Sequence, residues 1–72
     1  MTTVWASLAN AGGGYGNEVE VAGRTREEIL QKAWSRAVGS EYVLVIRTED
    51  KRTELWNEHG DWTDEGKKLL PE

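Results

Sequence analysis

Several residue types are missing or nearly missing from this 72-residue chain, and each gap narrows what it can be. With no Cys there is no disulfide staple, no zinc–thiolate cluster and no thiol nucleophile. Phe is absent too, so four Trp and two Tyr supply all the large aromatic side chains. The longest uncharged apolar run, Tyr42 to Ile46, is five residues, against the roughly 20 that a membrane-spanning helix needs. The start, Met1 to Trp5, has neither the basic residues nor the long apolar stretch of a secretory leader, so a cytoplasmic protein is expected. A chain this short fits one domain, expected over residues 1–72 with 61–72 as a C-terminal tail. It buries only roughly 60% of the surface its unfolded form exposes, so every large apolar side chain matters.

Charge is present, and it is unevenly placed. The net charge is -4. Residues 1–40 carry four basic and four acidic groups, and residues 41–72 carry five basic and nine acidic ones. Within that second part, Glu54, Glu58, Asp61, Asp64 and Glu65 follow one another with no Lys or Arg between them. Such a stretch disfavours contact with nucleic-acid phosphates, which call for clustered cations. It suits a basic protein surface through steering and complementarity.

The hydrophobic pattern predicts the order β-β-α-β-β. Thr2 to Ala9 alternates as a strand, Asn10 to Asn17 is a Gly-rich loop, and Glu18 to Ala22 is a second short strand. Thr25-Arg26-Glu27-Glu28 fits a capping box, with Thr25 as N-cap and Glu28 reaching back to its amide. The apolar stripe Ile29, Leu30, Ala33, Trp34, Ala37 and Val38 then predicts a helix over Arg26 to Val38, stopped by Gly39. Glu41 to Thr48 reads as a central strand, Glu49 to Lys51 as a tight turn, and Arg52 to Glu58 as a fourth strand. In the tail, Thr63 could cap a turn over Lys67 to Leu70, weakened by Gly66 and ended by Pro71.

These elements predict an α+β fold, one helix packed on a four-stranded antiparallel sheet of order 2-1-3-4. Val4, Ala6, Leu8, Val19, Val21, Tyr42, Leu44, Ile46 and Leu55 are expected beneath the helix. Trp5, Val43, Val45 and Trp56 are expected on the opposite face, open to cover by the tail, a second copy or another partner. Trp34 is expected in the core, with Trp5, Trp56 and Trp62 open between core and interface.

No pattern of catalytic or ligand-binding residues stands out. Gly12-Gly13-Gly14-Tyr15-Gly16 has no following Lys and leads into a strand, so it reads as a hairpin tip displaying Tyr15. His59 is the only imidazole and sits in a turn, whereas a metal site needs converging ligands. Ser7, Ser35 and Ser40 lack a neighbouring base, and Glu18 with Glu20 reads as the wet side of a strand. No enzymatic activity, cofactor or metal is expected.

In layout, the capped helix Thr25 to Gly39 followed by the hairpin Tyr42 to Glu58 resembles small phage-encoded inhibitor proteins of the anti-CRISPR type. That resemblance implies a stoichiometric inhibitor, working in the host-cell cytoplasm, that docks on a subunit of a nucleic-acid-binding complex such as a CRISPR effector. Glu54, Glu58, Asp61, Asp64 and Glu65 are then expected to meet a basic surface, with Tyr15, Trp56 and Trp62 as anchors. Two alternatives stand beside this expectation. One is a nucleic-acid-binding module using Arg24, Arg26, Lys32, Arg36, Arg47, Lys51 and Arg52. The other is a homodimeric structural protein joined through the outer Trp face.

Overall fold

The computed structural model describes residues 1–13 and 15–72, and at Tyr15 the backbone alone. Strands β1 (Thr2–Asn10) and β2 (Tyr15–Gly23) lead into helix α1 (Arg26–Arg36). Strands β3 (Glu41–Thr48) and β4 (Glu54–Trp56) follow, and a short helix α2 (Asp64–Leu69) ends the chain. The sheet is antiparallel throughout, in the order β2-β1-β3-β4. The predicted α+β architecture and strand order are therefore those observed.

Helix α1 begins as its sequence dictates. Thr25 Oγ1 accepts a hydrogen bond from the Glu28 amide at 3.1 Å, satisfying one of the donors a helix start leaves free. The Glu28 carboxylate does not reach back to Thr25. It pairs instead with Lys32 Nζ at 3.0 Å. The helix also ends earlier than its apolar stripe suggests, because Ala37 is already extended and donates its amide to the Trp34 carbonyl. Val38 and Gly39 belong instead to a turn closed by Glu41 N donating to Val38 O. Ile29 and Ala33 alone are buried from this helix. Trp34 is 46% exposed, which corrects its expected place in the core.

The core lies between α1 and one sheet face, where Val4, Ala6, Leu8, Val21, Val43 and Ile46 pack with Leu55, Trp56 and Leu70. Two bulges decide which residues reach it. Along β1 and β3, Ser7 faces Val45 but Leu8 faces Val43, so Leu44 is an extra residue. An extra residue flips every side chain beyond it to the other face. Val43 therefore enters the core, while Tyr42 and Leu44 leave it, reversing the expected sides of all three. Along β3 and β4, Ile46 faces Trp56 and Arg47 faces Glu54, making Leu55 the extra residue. Trp56 thereby lands on the helix side and is buried. The outer face keeps Trp5 and Val45 but not Trp56.

The tail closes the core instead of covering that outer face. Leu70 is fully buried beside Ile29 and Leu55, the Arg26 amide donates to Pro71 O at 2.7 Å, and the Arg26 guanidinium pairs with Glu72. Thr63 caps α2 by accepting from the Gly66 amide, and its hydroxyl donates toward the carbonyls of Glu54 and Leu55. Gly66 is not a weak point in this helix. A Cβ there would collide with the Leu55 carbonyl oxygen and press on the Trp62 ring. A Gly66→Ala variant should therefore lose stability despite the better helix propensity of Ala, which alone would add about 1 kcal/mol. Urea denaturation would show a lower midpoint, and a raised one would contradict this packing.

Candidate protein-binding surface

The acidic segment is built on a fixed loop. After β4, the Asn57 amide donates to Asp61 O at 2.9 Å and the Gly60 amide donates to Asn57 O at 3.0 Å. Asn57 Oδ1 accepts from the amides of His59 and Asp61, as an Asn side chain does when it organises a turn. Gly60 has φ +85, a backbone state that only Gly adopts without strain. An antiparallel bridge between Trp56 and Trp62 then ties the far side of the loop to the sheet. Glu58, Asp61, Asp64 and Glu65 are exposed on this loop and the first turn of α2. Asp64 and Glu65 also face the positive end of α2, which stabilises it. Among the described residues, Glu65 has a partner in Lys68 at 3.7 Å, while Glu58, Asp61 and Asp64 enter no ion pair.

The other candidate residues are placed differently from one another. Glu54 is half-buried on β4 opposite Arg47, where it lines an outer-face cleft with Ser7, Val45, Glu58 and His59. Trp56, expected as an anchor, is 7% exposed and packs within the core, so its ring cannot reach a partner. Trp62 is half-buried: it packs against the core and lines a groove with Arg26, Leu30 and Glu72. The Tyr15 side chain lies outside the described residues. No group of three or more His, Asp or Glu side chains able to hold a metal occurs among the described residues. Among the described residues, no helix is long and apolar enough to cross a membrane.

Sequence reasoning missed Trp34, which stands exposed on α1, with Val38 exposed in the turn that follows. Ile29 and Ala33 set the buried side of α1, and position 34 lies about 100° round the helix from Ala33. On the outer face, Lys51 Nζ lies 4.4 Å from the centre of the Trp5 ring and 3.1 Å from Glu18. This cation covers part of the apolar surface that a dimer through Trp5 would use.

Two carboxylates have shifted acidity. The Glu28 carboxyl is held below its ordinary value of 4.5, chiefly by the Lys32 hydrogen bond. Asp50 is held below its ordinary 3.8, first by the Thr48 hydroxyl and then by the Arg52 amide. Folding thus favours both charged forms. Their contribution is present above the ordinary values and is lost as pH falls through the lower folded ones. The thermal midpoint should stay level well above pH 4.5 and decline below it. In an Asp50→Asn variant the decline below pH 3.8 should be shallower.

No family model matches this chain, and neither the curated proteins nor the solved structures compared with it give a match.

Proposed function

We propose that this protein is a non-enzymatic, acidic protein-binding inhibitor that occludes a basic, nucleic-acid-binding surface of a partner, as anti-CRISPR proteins do to effector subunits. One observation carries this reading. Glu58, Asp61, Asp64 and Glu65 project from a loop and helix start held in place by Asn57, Gly60 and Thr63. A backbone held in this way needs little ordering on binding, so more of the attraction of the charges it carries is retained as affinity. Trp62, beside Leu30, supplies the apolar anchor.

The nucleic-acid-binding alternative is less favoured by the cations themselves. Arg26, Lys32 and Lys51 each already face a carboxylate, in Glu72, Glu28 and Glu18. A gel-shift assay with random duplex DNA separates the two readings. An inhibitor of this kind leaves the duplex unshifted, whereas a shift that weakens steeply with salt would overturn the proposal. Capture from a bacterial lysate on the immobilised chain should enrich a nucleic-acid-binding protein that short duplex DNA then displaces.

A further inference from the structure

The turn between β3 and β4 holds a backbone state that its sequence does not favour. Among the described residues, Lys51 is the one non-glycine residue with positive φ, at 64. Glycine takes that left-handed state without strain, whereas a side chain with a Cβ is crowded by it. Neighbouring bonds fix the turn. The Lys51 amide donates to Thr48 O at 2.7 Å, and the Asp50 carboxylate accepts from the Thr48 hydroxyl and the Arg52 amide. From there the Lys51 side chain runs back over the outer sheet face. Its Nζ stands 4.4 Å from the centre of the Trp5 ring on β1 and 3.1 Å from the Glu18 carboxylate on β2. Both strands lie beyond β3 in the order β2-β1-β3-β4, so one side chain reaches from the turn across the sheet.

Stability alone does not account for a lysine at this position. The Lys51 and Glu18 side chains are about half exposed. An ion pair and a cation–π contact in such a setting each contribute modestly, on the same scale as the backbone strain that opposes them. The surroundings give the side chain a different use. Tyr42 and Leu44, turned out of the core by the bulge, share the outer face with Trp5. An apolar surface laid on Trp5 would strip water from the Lys51 ammonium or push it off the ring, and either costs free energy. We propose that Lys51 is a guard that keeps the outer sheet face from closing on a second copy of this chain. Its stem covers the Trp5 ring while its charge keeps water there. This role does not rest on the acidic loop or on Trp62.

The test is the mass of the full chain in solution, followed by light scattering as its concentration is raised. The unaltered chain should keep the mass of a single copy. Lys51→Gly removes the guard together with the backbone strain, and Lys51→Asn removes the guard with a residue that tolerates the left-handed turn. Both variants should rise toward twice the single-copy mass, with circular dichroism confirming the fold. Adding Trp5→Thr to either should return it to one copy. In nuclear magnetic resonance spectra of the unaltered chain, the Lys51 ε-methylene protons should be shifted upfield by the Trp5 ring and should lose that shift in Trp5→Thr. Lys51 variants that both stay at single-copy mass would overturn the proposal. So would association that persists in the presence of Trp5→Thr, or an unaltered chain that doubles in mass through Trp5.

Discussion

A Leu70→Ala variant is expected to lose about 2–5 kcal/mol of folding free energy, the usual cost of emptying a fully buried leucine site. Leu70 has no exposed surface and packs in the same cluster as Ile29, Leu55 and Trp56. At roughly 0.05–0.15 kcal/mol per residue, the whole domain is held by only about 4–11 kcal/mol. The loss is therefore a large share of the total, and it comes from a residue two positions from the end of the chain. Leu69 gives the control. It is 47% exposed, so Leu69→Ala should change stability by no more than about 0.5 kcal/mol. Urea denaturation of both variants measures the contrast. Equal effects would mean that the tail does not close the core.

The second large effect concerns binding. In the combined variant Glu58→Gln, Asp61→Asn, Asp64→Asn and Glu65→Gln, the exposed acidic charge of the loop and α2 is removed. Exposed ion pairs contribute up to about 1 kcal/mol each. Four pairs at about 0.5–1 kcal/mol come to about 2–4 kcal/mol, or roughly 30- to 1,000-fold in affinity for a basic partner. Much of the change should appear as slower association, because these charges steer the encounter. Circular dichroism should show the fold retained, with a small loss from Asp64 and Glu65 at the start of α2. Surface plasmon resonance against the captured partner gives both rates, and unchanged kinetics would remove the acidic segment from the binding account.

Much of the fold was legible because local chemistry and long-range order agree. Thr25 and Glu28 mark the helix start, and alternation along Thr2 to Ala9 marks the first strand. The apolar residues of Tyr42 to Ile46 likewise mark a central strand. Facing was not legible wherever one extra residue entered a ladder. Nothing in Tyr42-Val43-Leu44-Val45-Ile46 distinguishes a regular strand from one bulged at Leu44, because every side chain in it is apolar. The bulge at Leu55 misled the reading of Trp56 in the same way. Gly66 was misread for another reason. Propensity treats glycine as a defect, while here it admits the Leu55 backbone into close contact with α2.

The candidate surface divides along the same line. The acidic run was visible as composition alone, and its exposure follows from the expense of burying charge. Its rigidity was not visible, since it depends on the Asn57 side chain and on the bridge joining Trp56 to Trp62. The anchors were the least legible part. A tryptophan suits a core and an interface equally well, and in this chain Trp56 went to the core while Trp34 stayed outside.

The central claim is that this protein and nucleic acid compete for one basic surface. The direct measurement is the apparent Kd of the chain for its captured partner at increasing concentrations of short duplex DNA. Competition predicts that the apparent Kd rises in proportion to added DNA while the maximum signal stays constant. An apparent Kd that does not move with DNA would contradict the account.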